Sequence, residues 1–524
     1  MSDTKPHLDL SLYLVTDSTP DILGDKDLCH VVEEAIKGGV TVVQYRDKHA
    51  DTGQLITTAK RLHVITKRYG VPLLINDRLD VCLAAGTEGV HIGQEDVKIE
   101  DAKRALPANA IIGMTASSVD EAEAAINGGA DYLGIGTMFA TPTKKDTKSI
   151  IGTRGTQEIL SRCQTGTQHS VGCVAIGSIN ATNVQRVLHQ STARGNRLNG
   201  VAVVSAIVAA SNPKDAATEL AKLVKSAYDT FYVSTPPNVQ AATTTDTILR
   251  QIPAIIEKHV ASSVLSHNMT NTVVQNFAAN VCLATGASPI MSTNGAEAPD
   301  LAKLGGGLVI NMGTITPDIM NAYQAGVRAY NAVGNSVLLD PVGGGATMVR
   351  RTAIQTLLRA GFYDVIKGNE GEIGAVLGTS ATQQRGVDSG PSTSDVQAKA
   401  TMVKLLAQRE RCIVLMTGAT DFLSDGERTL AISNGSSLLG KVTGSGCALG
   451  SVIVSYLALQ KDTDKLVAAL AGILHYELAA ERAAKQSSCR GPGSFIPTFL
   501  DELYLLGQDV KNLDLLANAE VELV

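Results

Sequence analysis

The sequence predicts two successive α/β units: an N-terminal (β/α)8 barrel and a second α/β unit behind it. Three observations carry this. Eight short apolar strands are spread over residues 12–205, with helical patterns such as Ser118–Ile126 and Asn183–Leu188 between them. That alternation suits a parallel barrel, with an open doubly wound sheet as the alternative. Four strands follow glycine-rich residues, in the runs Gly38–Gln44, Gly89–Gly93, Gly128–Gly136 and Gly200–Ser205. There glycine is expected to cap the preceding helix in the left-handed conformation. Finally, 44% of the 524 residues are apolar but only 4% aromatic, with 49 Gly and no Trp. The core is therefore aliphatic, as suits strands buried on both faces.

The remaining barrel strands are expected at Leu12–Val15, Pro72–Ile75, Ile111–Met114 and Val174–Gly177. This unit spans residues 1–228. Residues 229–245 are polar and turn-rich, including Ser234-Thr235-Pro236-Pro237-Asn238, and read as a linker. The second unit, 246–524, has strands at Leu308–Asn311, Ser336–Asp340, Val365–Lys367 and Cys412–Thr417, and a helix after Gly444–Gly446. Residues Thr379–Pro391, rich in Gln, Ser and Gly, read as a mobile insertion.

Composition excludes several classes of function. A net charge of -6 without any basic block argues against nucleic acid or membrane-surface binding. The N-terminus has no apolar run behind it, so no signal peptide is expected. Runs such as Val201–Val204 are far too short to span a bilayer. Eight Cys without a Cys-x-x-Cys pair read as reduced thiols of a cytoplasmic protein, not as structural zinc ligands.

In a barrel the chemistry sits at the carboxyl ends of the strands. Asp77 and Asp96 fall at the ends of neighbouring strands, and two converging carboxylates suit Mg²⁺ shared with a substrate phosphate. Gln44, Arg46 and Lys48 alternate along one strand end and can face one pocket. Arg46 and Lys48 can neutralise a diphosphate, and Lys144 adds a third cation. Taken singly, these acids also fit helix N-caps and the cations a solvated surface. Their joint placement favours a site. Gly177-Ser178 and Val204-Ser205, on the last two strands, suit a phosphate cradle.

Together, Tyr13–Ser18, Val43–Lys48, Ile75–Arg78, Gly89–Asp96, Thr141–Lys145 and Val203–Ile207 resemble the thiamine phosphate synthase family over residues 10–228. The resemblance implies a TIM barrel that joins hydroxymethylpyrimidine diphosphate to thiazole phosphate and releases diphosphate. It implies that Gln44, Arg46, Lys48, Asn76 and Lys144 hold the pyrimidine diphosphate, with Tyr45 and Asp47 in the same motif. Arg46 and Lys144 would assist departure of the diphosphate, Asp77 and Asp96 would bind Mg²⁺, and Thr115 would lie near the pyrimidine. Thr141, Pro142, Thr143, Gly177, Val204 and Ser205 would hold the thiazole phosphate. Ser178 departs from the family, which usually has a second Gly there.

In the second unit, Thr443-Gly444-Ser445-Gly446-Cys447 leads into the apolar helix Ala448–Leu459 and offers backbone N–H groups to an anion. Taken alone it also fits a plain helix cap, and no Walker lysine follows. Asp340–Gly343, Asn369–Glu372 and Met416–Asp421 end strands with polar groups. With Ser266–Asn271, Gly286–Met291 and Gly491–Phe495, they resemble hydroxyethylthiazole kinase over residues 250–505. That implies a ribokinase-like fold and phosphorylation of a thiazole alcohol by ATP. Arg350 and Thr417 would contact the ATP phosphates, Glu372 and Asp340 would act with Mg²⁺, and Gly444 and Gly446 would hold the moving phosphoryl group. Asn271 and Met291 would line the thiazole pocket. Cys447 stands where most such kinases carry an aspartate base, and a thiol could take that role only with a lowered pKa. The resemblance also implies a homo-oligomer built on a trimer, up to a hexamer. A degenerate ligand-sensing half, or a barrel isomerase beside another small-alcohol kinase, are the competing readings. The complete set of acidic and basic positions argues against both.

Overall fold

The computed structural model describes residues 5, 7–139, 150–163, 171–193, 196–230, 244–378, 395–459, 464–512 and 515–524. It divides into two compact units, residues 1–232 and 233–524. The helix Pro213–Thr230 carries the first unit two residues into the expected linker, and the helix Thr245–Leu249 opens the second. Residues 231–243 of that linker and the expected insertion Thr379–Pro391 lie outside the described residues.

The first unit is a closed barrel of eight parallel strands in sequence order. They are β1 (Leu12–Val15), β2 (Val42–Tyr45), β3 (Leu73–Asn76), β4 (Gly89–Ile92), β5 (Ile111–Ala116), β6 (Tyr132–Ile135), β7 (Gly172–Ile176) and β8 (Gly200–Val203). The register pairs Tyr13 with Val42 and Ala202, and Gln44 with Leu74. Alternation along each strand separates two shells. Tyr13, Val15, Val42, Leu74, Ile111, Tyr132, Val174 and Ala202 fill the barrel interior. Leu12, Leu14, Val43, Leu73, Ile75, Val90 and Ile92 pack outward against the helices.

Local chemistry explains the boundaries. Ser118 caps the helix Val119–Gly128 by accepting from Glu121 N, and Gly129 closes it at φ 84°. The expectation of a glycine cap fails at Gly89 and Gly200. A Cβ at Gly89 would lie 2.0 Å from Ile111 O, and one at Gly200 2.0 Å from Leu10 O. These glycines admit a neighbouring backbone rather than close a helix.

The second unit is a nine-stranded sheet in the order β10-β9-β11-β12-β13-β14-β15-β16-β17. The strands are β9 (Leu265–Met269), β10 (Ser288–Ile290), β11 (Gly307–Asn311), β12 (Val337–Asp340), β13 (Val365–Asn369), β14 (Ile413–Thr417), β15 (Asp421–Ser424), β16 (Thr429–Ile432) and β17 (Val521–Leu523). The first six are parallel, and β15 to β17 extend the sheet in antiparallel fashion. Leu338 and Leu415 face one apolar layer, and Leu339 and Val414 the other, so the sheet is covered on both sides. Strands β9 and β10 escape sequence reading because β9 is Leu-Ser-His-Asn-Met. Its polar groups are buried but partnered: Ser451 Oγ donates to Asn268 Oδ1 at 2.5 Å, and Ser266 Oγ donates to Ser451 O at 3.0 Å. A satisfied polar strand lacks the apolar signal yet costs little to bury.

All eight cysteines are free thiols. Cys447 aside, six of the other seven are buried, and Cys489 is half-buried. No described helix is long and apolar enough to cross a membrane.

Gly113 leaves room for the Tyr132 ring, which a Cβ there would meet at 2.0 Å. Gly113→Ala is therefore expected to destabilise the barrel by about 2 kcal/mol through overpacking. Differential scanning calorimetry should show a lower transition for the barrel and an unchanged one for the second unit.

Candidate active sites

A cavity of about 400 Å³ opens at the carboxyl ends of the barrel strands. Gln44, Arg46, Lys48, Asn76, Asp96 and Thr115 line it from β2 to β5, and Gly177, Val204 and Ser205 from β7 and β8. In an eight-stranded barrel β3–β4 and β7–β8 stand opposite each other. The acidic and cationic cluster and the cradle thus face each other across the mouth.

On the charged side, Asp77 has φ 61°, a left-handed conformation that is costly for a residue with a Cβ. Asn76 Nδ2 donates to its Oδ2 at 2.6 Å, and Lys48 Nζ lies 3.7 Å from the same atom. Burial pushes the Asp77 carboxyl up to about 6, with hydrogen bonding to Asp96 and its charge adding to the rise. Asp96 is oriented by Gly93 N, which donates to its Oδ2 at 2.7 Å. Two neighbouring carboxylates at the mouth of this cavity have the donor set Mg²⁺ takes when substrate oxygens complete its shell. Arg46 Nη1 pairs with Asp17 Oδ2 at 3.4 Å, which holds the guanidinium at the rim.

Two residues of the β2 motif do not enter the cavity. Tyr45 has the opposite parity to Gln44, so its ring is buried in the helix-facing shell. The Asp47 carboxylate accepts from His49 N and Ala50 N and shapes the loop after β2. On the cradle side, Ser178 has φ 52°, which explains why glycine suits this position. A Cβ at Gly177 would lie 2.7 Å from Met138 N. Ser205 starts a short helix, Ser205–Val208. Thr141, Pro142, Thr143 and Lys144 lie outside the described residues.

The cavity floor holds groups that sequence reasoning missed. Gln44 Nε2 donates to Tyr13 OH at 3.1 Å, and Tyr13 OH meets Tyr132 OH at 2.7 Å. Tyr132 OH meets His91 Nδ1 at 2.8 Å, and His91 Nε2 meets Thr115 Oγ1 at 3.0 Å. Strand parity was the available signal, since all five residues point inward.

In the second unit the polar groups again gather at strand ends. Asn271 Nδ2 donates to Asn311 Oδ1 at 2.9 Å and reaches Cys447 Sγ at 3.8 Å. Asn311 Nδ2 donates to Asp340 Oδ2 at 3.0 Å, and Lys367 Nζ lies 3.5 Å from that oxygen. Burial raises the Asp340 carboxyl even against Lys367. Burial works against the Lys367 ammonium, but the neighbouring carboxylates, Asp340 first, hold it above the usual lysine range. Burial and then Asp340 push Glu372 up to about 7. Its two oxygens accept from Gly343 N at 2.7 Å and Asn369 N at 2.8 Å, tying the loop after β12 to the end of β13.

Gly444 enters the helix Ser445–Leu459 at φ 85°, and a Cβ on Gly446 would stand 3.7 Å from Lys367 Nζ. The expected anion turn therefore faces a buried ammonium. Thr417 ends β14, and Met291 packs half-buried against the apolar layer. Arg350 borders this cluster: its guanidinium donates to Met312 O, Val342 O and Gly313 O at 2.6–3.0 Å, in the loops whose Gly313 N and Gly343 N bond Asn311 and Glu372. Lys367, at the end of β13, is a buried cation of the cluster that no motif in the sequence singles out. Burial and then Asp340 push the Cys447 thiol up to about 11, so it is neutral at physiological pH. The lowering that proton acceptance requires is not met.

The family model "Thiamine monophosphate synthase" matches residues 12–207, and "Hydroxyethylthiazole kinase family" matches residues 256–509. The chain is 42% identical to the "Probable thiamine biosynthetic bifunctional enzyme" of Schizosaccharomyces pombe, covering 99% of each chain. It is 34% identical to the "Thiamine biosynthetic bifunctional enzyme" of Saccharomyces cerevisiae, covering 97% of each. It is also 42% identical to the "Hydroxyethylthiazole kinase" of Moorella thermoacetica, over 47% of this chain and 90% of that one.

In a thiazole phosphorylation assay, Lys367→Met is expected to cost at least about 100-fold, as loss of a preorganised charge does. Arg350→Met should mainly lower the melting temperature of the second unit. Cys447→Ser is expected to slow phosphorylation less than about tenfold, against the 100-fold or more of a lost general base. A rate profile rising with a midpoint near pH 8.5 would contradict the neutral thiol.

Proposed function

The chain belongs to the family of bifunctional thiamine biosynthetic enzymes, carrying thiamine phosphate synthase and hydroxyethylthiazole kinase activities, and from this premise we propose how its residues divide the work. The kinase unit phosphorylates the thiazole alcohol with ATP, and the barrel consumes the thiazole phosphate. The observation that carries the assignment is the barrel mouth, with Arg46, Lys48, Asp77 and Asp96 at β2–β4 facing the Gly177 and Ser205 cradle at β7–β8.

Arg46, Lys48 and Asn76 bind the pyrimidine diphosphate, with Lys144 as a third cation, and Gln44 and Thr115 face the pyrimidine. Gly177, Ser178, Val204 and Ser205 hold the thiazole phosphate, joined by Thr141, Pro142 and Thr143. Tyr45 and Asp47 are assigned to positioning the β2 loop rather than to substrate contact. Asp77 and Asp96 would hold Mg²⁺, which when bound adds positive charge against the departing diphosphate. The carbon–oxygen bond to the diphosphate breaks with both electrons leaving on oxygen, and Arg46 and Lys48 stabilise that charge. The thiazole nitrogen then donates its lone pair to the pyrimidine methylene. No side-chain nucleophile is required.

In the second unit Lys367 faces the phosphoryl group in transfer, and backbone N–H groups at Gly444 and Gly446 receive its oxygens. Glu372 and Asp340 serve the Mg²⁺ carried with ATP, and Thr417 borders the phosphates. Asn271 and Met291 border the alcohol, and Cys447 contributes a neutral thiol against Asn271. Phosphoryl transfer through a loose transition state needs little help from a base.

We further infer a homo-oligomer built on kinase trimers, which gel filtration would detect as at least three chain masses. The free thiols support a cytoplasmic setting.

Asp96→Ala tests the division directly. Diphosphate release from the pyrimidine substrate plus thiazole phosphate is expected to fall at least about 100-fold. Thiazole phosphorylation by the same chain should be unchanged. Loss of both activities would contradict two separate sites.

A further inference from the structure

The barrel floor carries one continuous chain of hydrogen bonds whose two ends are the residues assigned to the pyrimidine. It runs from Gln44 through Tyr13, Tyr132 and His91 to Thr115, in four steps of 3.1, 2.7, 2.8 and 3.0 Å. The middle three residues are held by packing. The Tyr13 and Tyr132 rings meet edge to face with centroids 5.8 Å apart, and Tyr132 lies 5.5 Å from the His91 ring. Glycine makes room for both partners: a Cβ at Gly113 would meet Tyr132 at 2.0 Å, and one at Gly134 would meet His91 Cε1 at 2.9 Å.

Such a chain has a direction, because each hydroxyl and the neutral imidazole has one proton to place. Gln44 donates to Tyr13 OH. Tyr13 then donates to Tyr132, and Tyr132 to His91 Nδ1. The imidazole must carry its proton on Nε2 and donate it to Thr115 Oγ1. The Thr115 hydroxyl proton is left for the cavity, and so is the carbonyl oxygen of the Gln44 amide. Reversing one link would require reversing them all. Burial drives both tyrosine hydroxyls well up, so each stays protonated and can pass the direction on.

We propose that Tyr13, Tyr132 and His91 are positioning residues that fix Gln44 as an acceptor and Thr115 as a donor, so that the cavity selects an amino-substituted pyrimidine over its oxo counterpart. An aminopyrimidine edge offers an N–H donor beside a ring-nitrogen acceptor, which complements that pair. The oxo form offers the reverse, a carbonyl acceptor beside a ring N–H, and forgoes both of the contacts that the chain presets. The inference rests on the assignment of this cavity to the pyrimidine diphosphate.

The test uses the full chain with Tyr13→Phe, Tyr132→Phe and the double variant, each of which keeps the ring and removes a link. The KM of the aminopyrimidine diphosphate and the inhibition constant of its oxo analogue are measured side by side. Each single variant should raise the KM about tenfold while moving the oxo constant and kcat less than twofold. The double variant should lose no more than either single one, because a broken chain cannot be broken again. Unchanged discrimination, additive losses, or equal weakening for both ligands would overturn the relay. A wild-type chain that forms no thiamine phosphate would instead remove the assignment beneath it, and the relay with it.

Discussion

Burial of parallel strands on both faces governs where this chain can place its chemistry. Such strands have no solvated face, so a polar side chain must stand where the strand leaves the sheet or find a partner inside. Both units obey this. Gln44, Asn76, Thr115 and Ser205 stand at or just beyond the carboxyl ends of barrel strands, and Asn271, Asn311, Asp340, Asn369 and Thr417 do so in the second sheet. The polar groups placed deeper, at Tyr13, His91 and Tyr132 in the barrel and at Ser266 and Asn268 in β9, are each hydrogen-bonded.

The two sites solve the same electrostatic problem in different ways. Both must bind phosphate anions while holding carboxylates nearby. The barrel keeps Lys48 at the rim, its side chain 54% exposed, beside the carboxylates of Asp77 and Asp96. The second unit buries its cation, since the side chains of Lys367 and Asp340 are 4% and 1% exposed. A buried ion pair contributes little net stability but fixes geometry, because removing either partner strands the other. The rim cations suit a diphosphate that must leave, and the buried ammonium suits a phosphoryl group that only passes through.

Much of this was legible in the sequence, and the exceptions have physical causes. All eight barrel strands and four strands of the second sheet announce themselves as apolar runs between helical patterns. Strands β9 and β10 do not, because β9 is polar and satisfied from the helix Ser445–Leu459. The short β15 and β16 follow β14 with no helix between them, so the alternation of strand and helix cannot reveal them, and β17 is only three residues, Val521–Leu523. Within the sites, motif residues were assigned by position, which cannot tell an inward from an outward parity. Tyr45 beside Gln44 shows the consequence. Arg350 and Lys367 show a second one: position alone does not reveal that the Arg350 guanidinium bonds loop carbonyls, or that Lys367, at the end of an apolar strand, is a buried ammonium.

By this division of work, the product of the second unit becomes the substrate of the first without losing its phosphate. Label transfer tests it most directly. The full chain is supplied with ATP labelled at the γ-phosphate, Mg²⁺, hydroxyethylthiazole and unlabelled pyrimidine diphosphate, and the products are separated. The label is expected in thiamine phosphate and absent from the released diphosphate. Label in the diphosphate, or thiamine phosphate formed without label, would contradict the account.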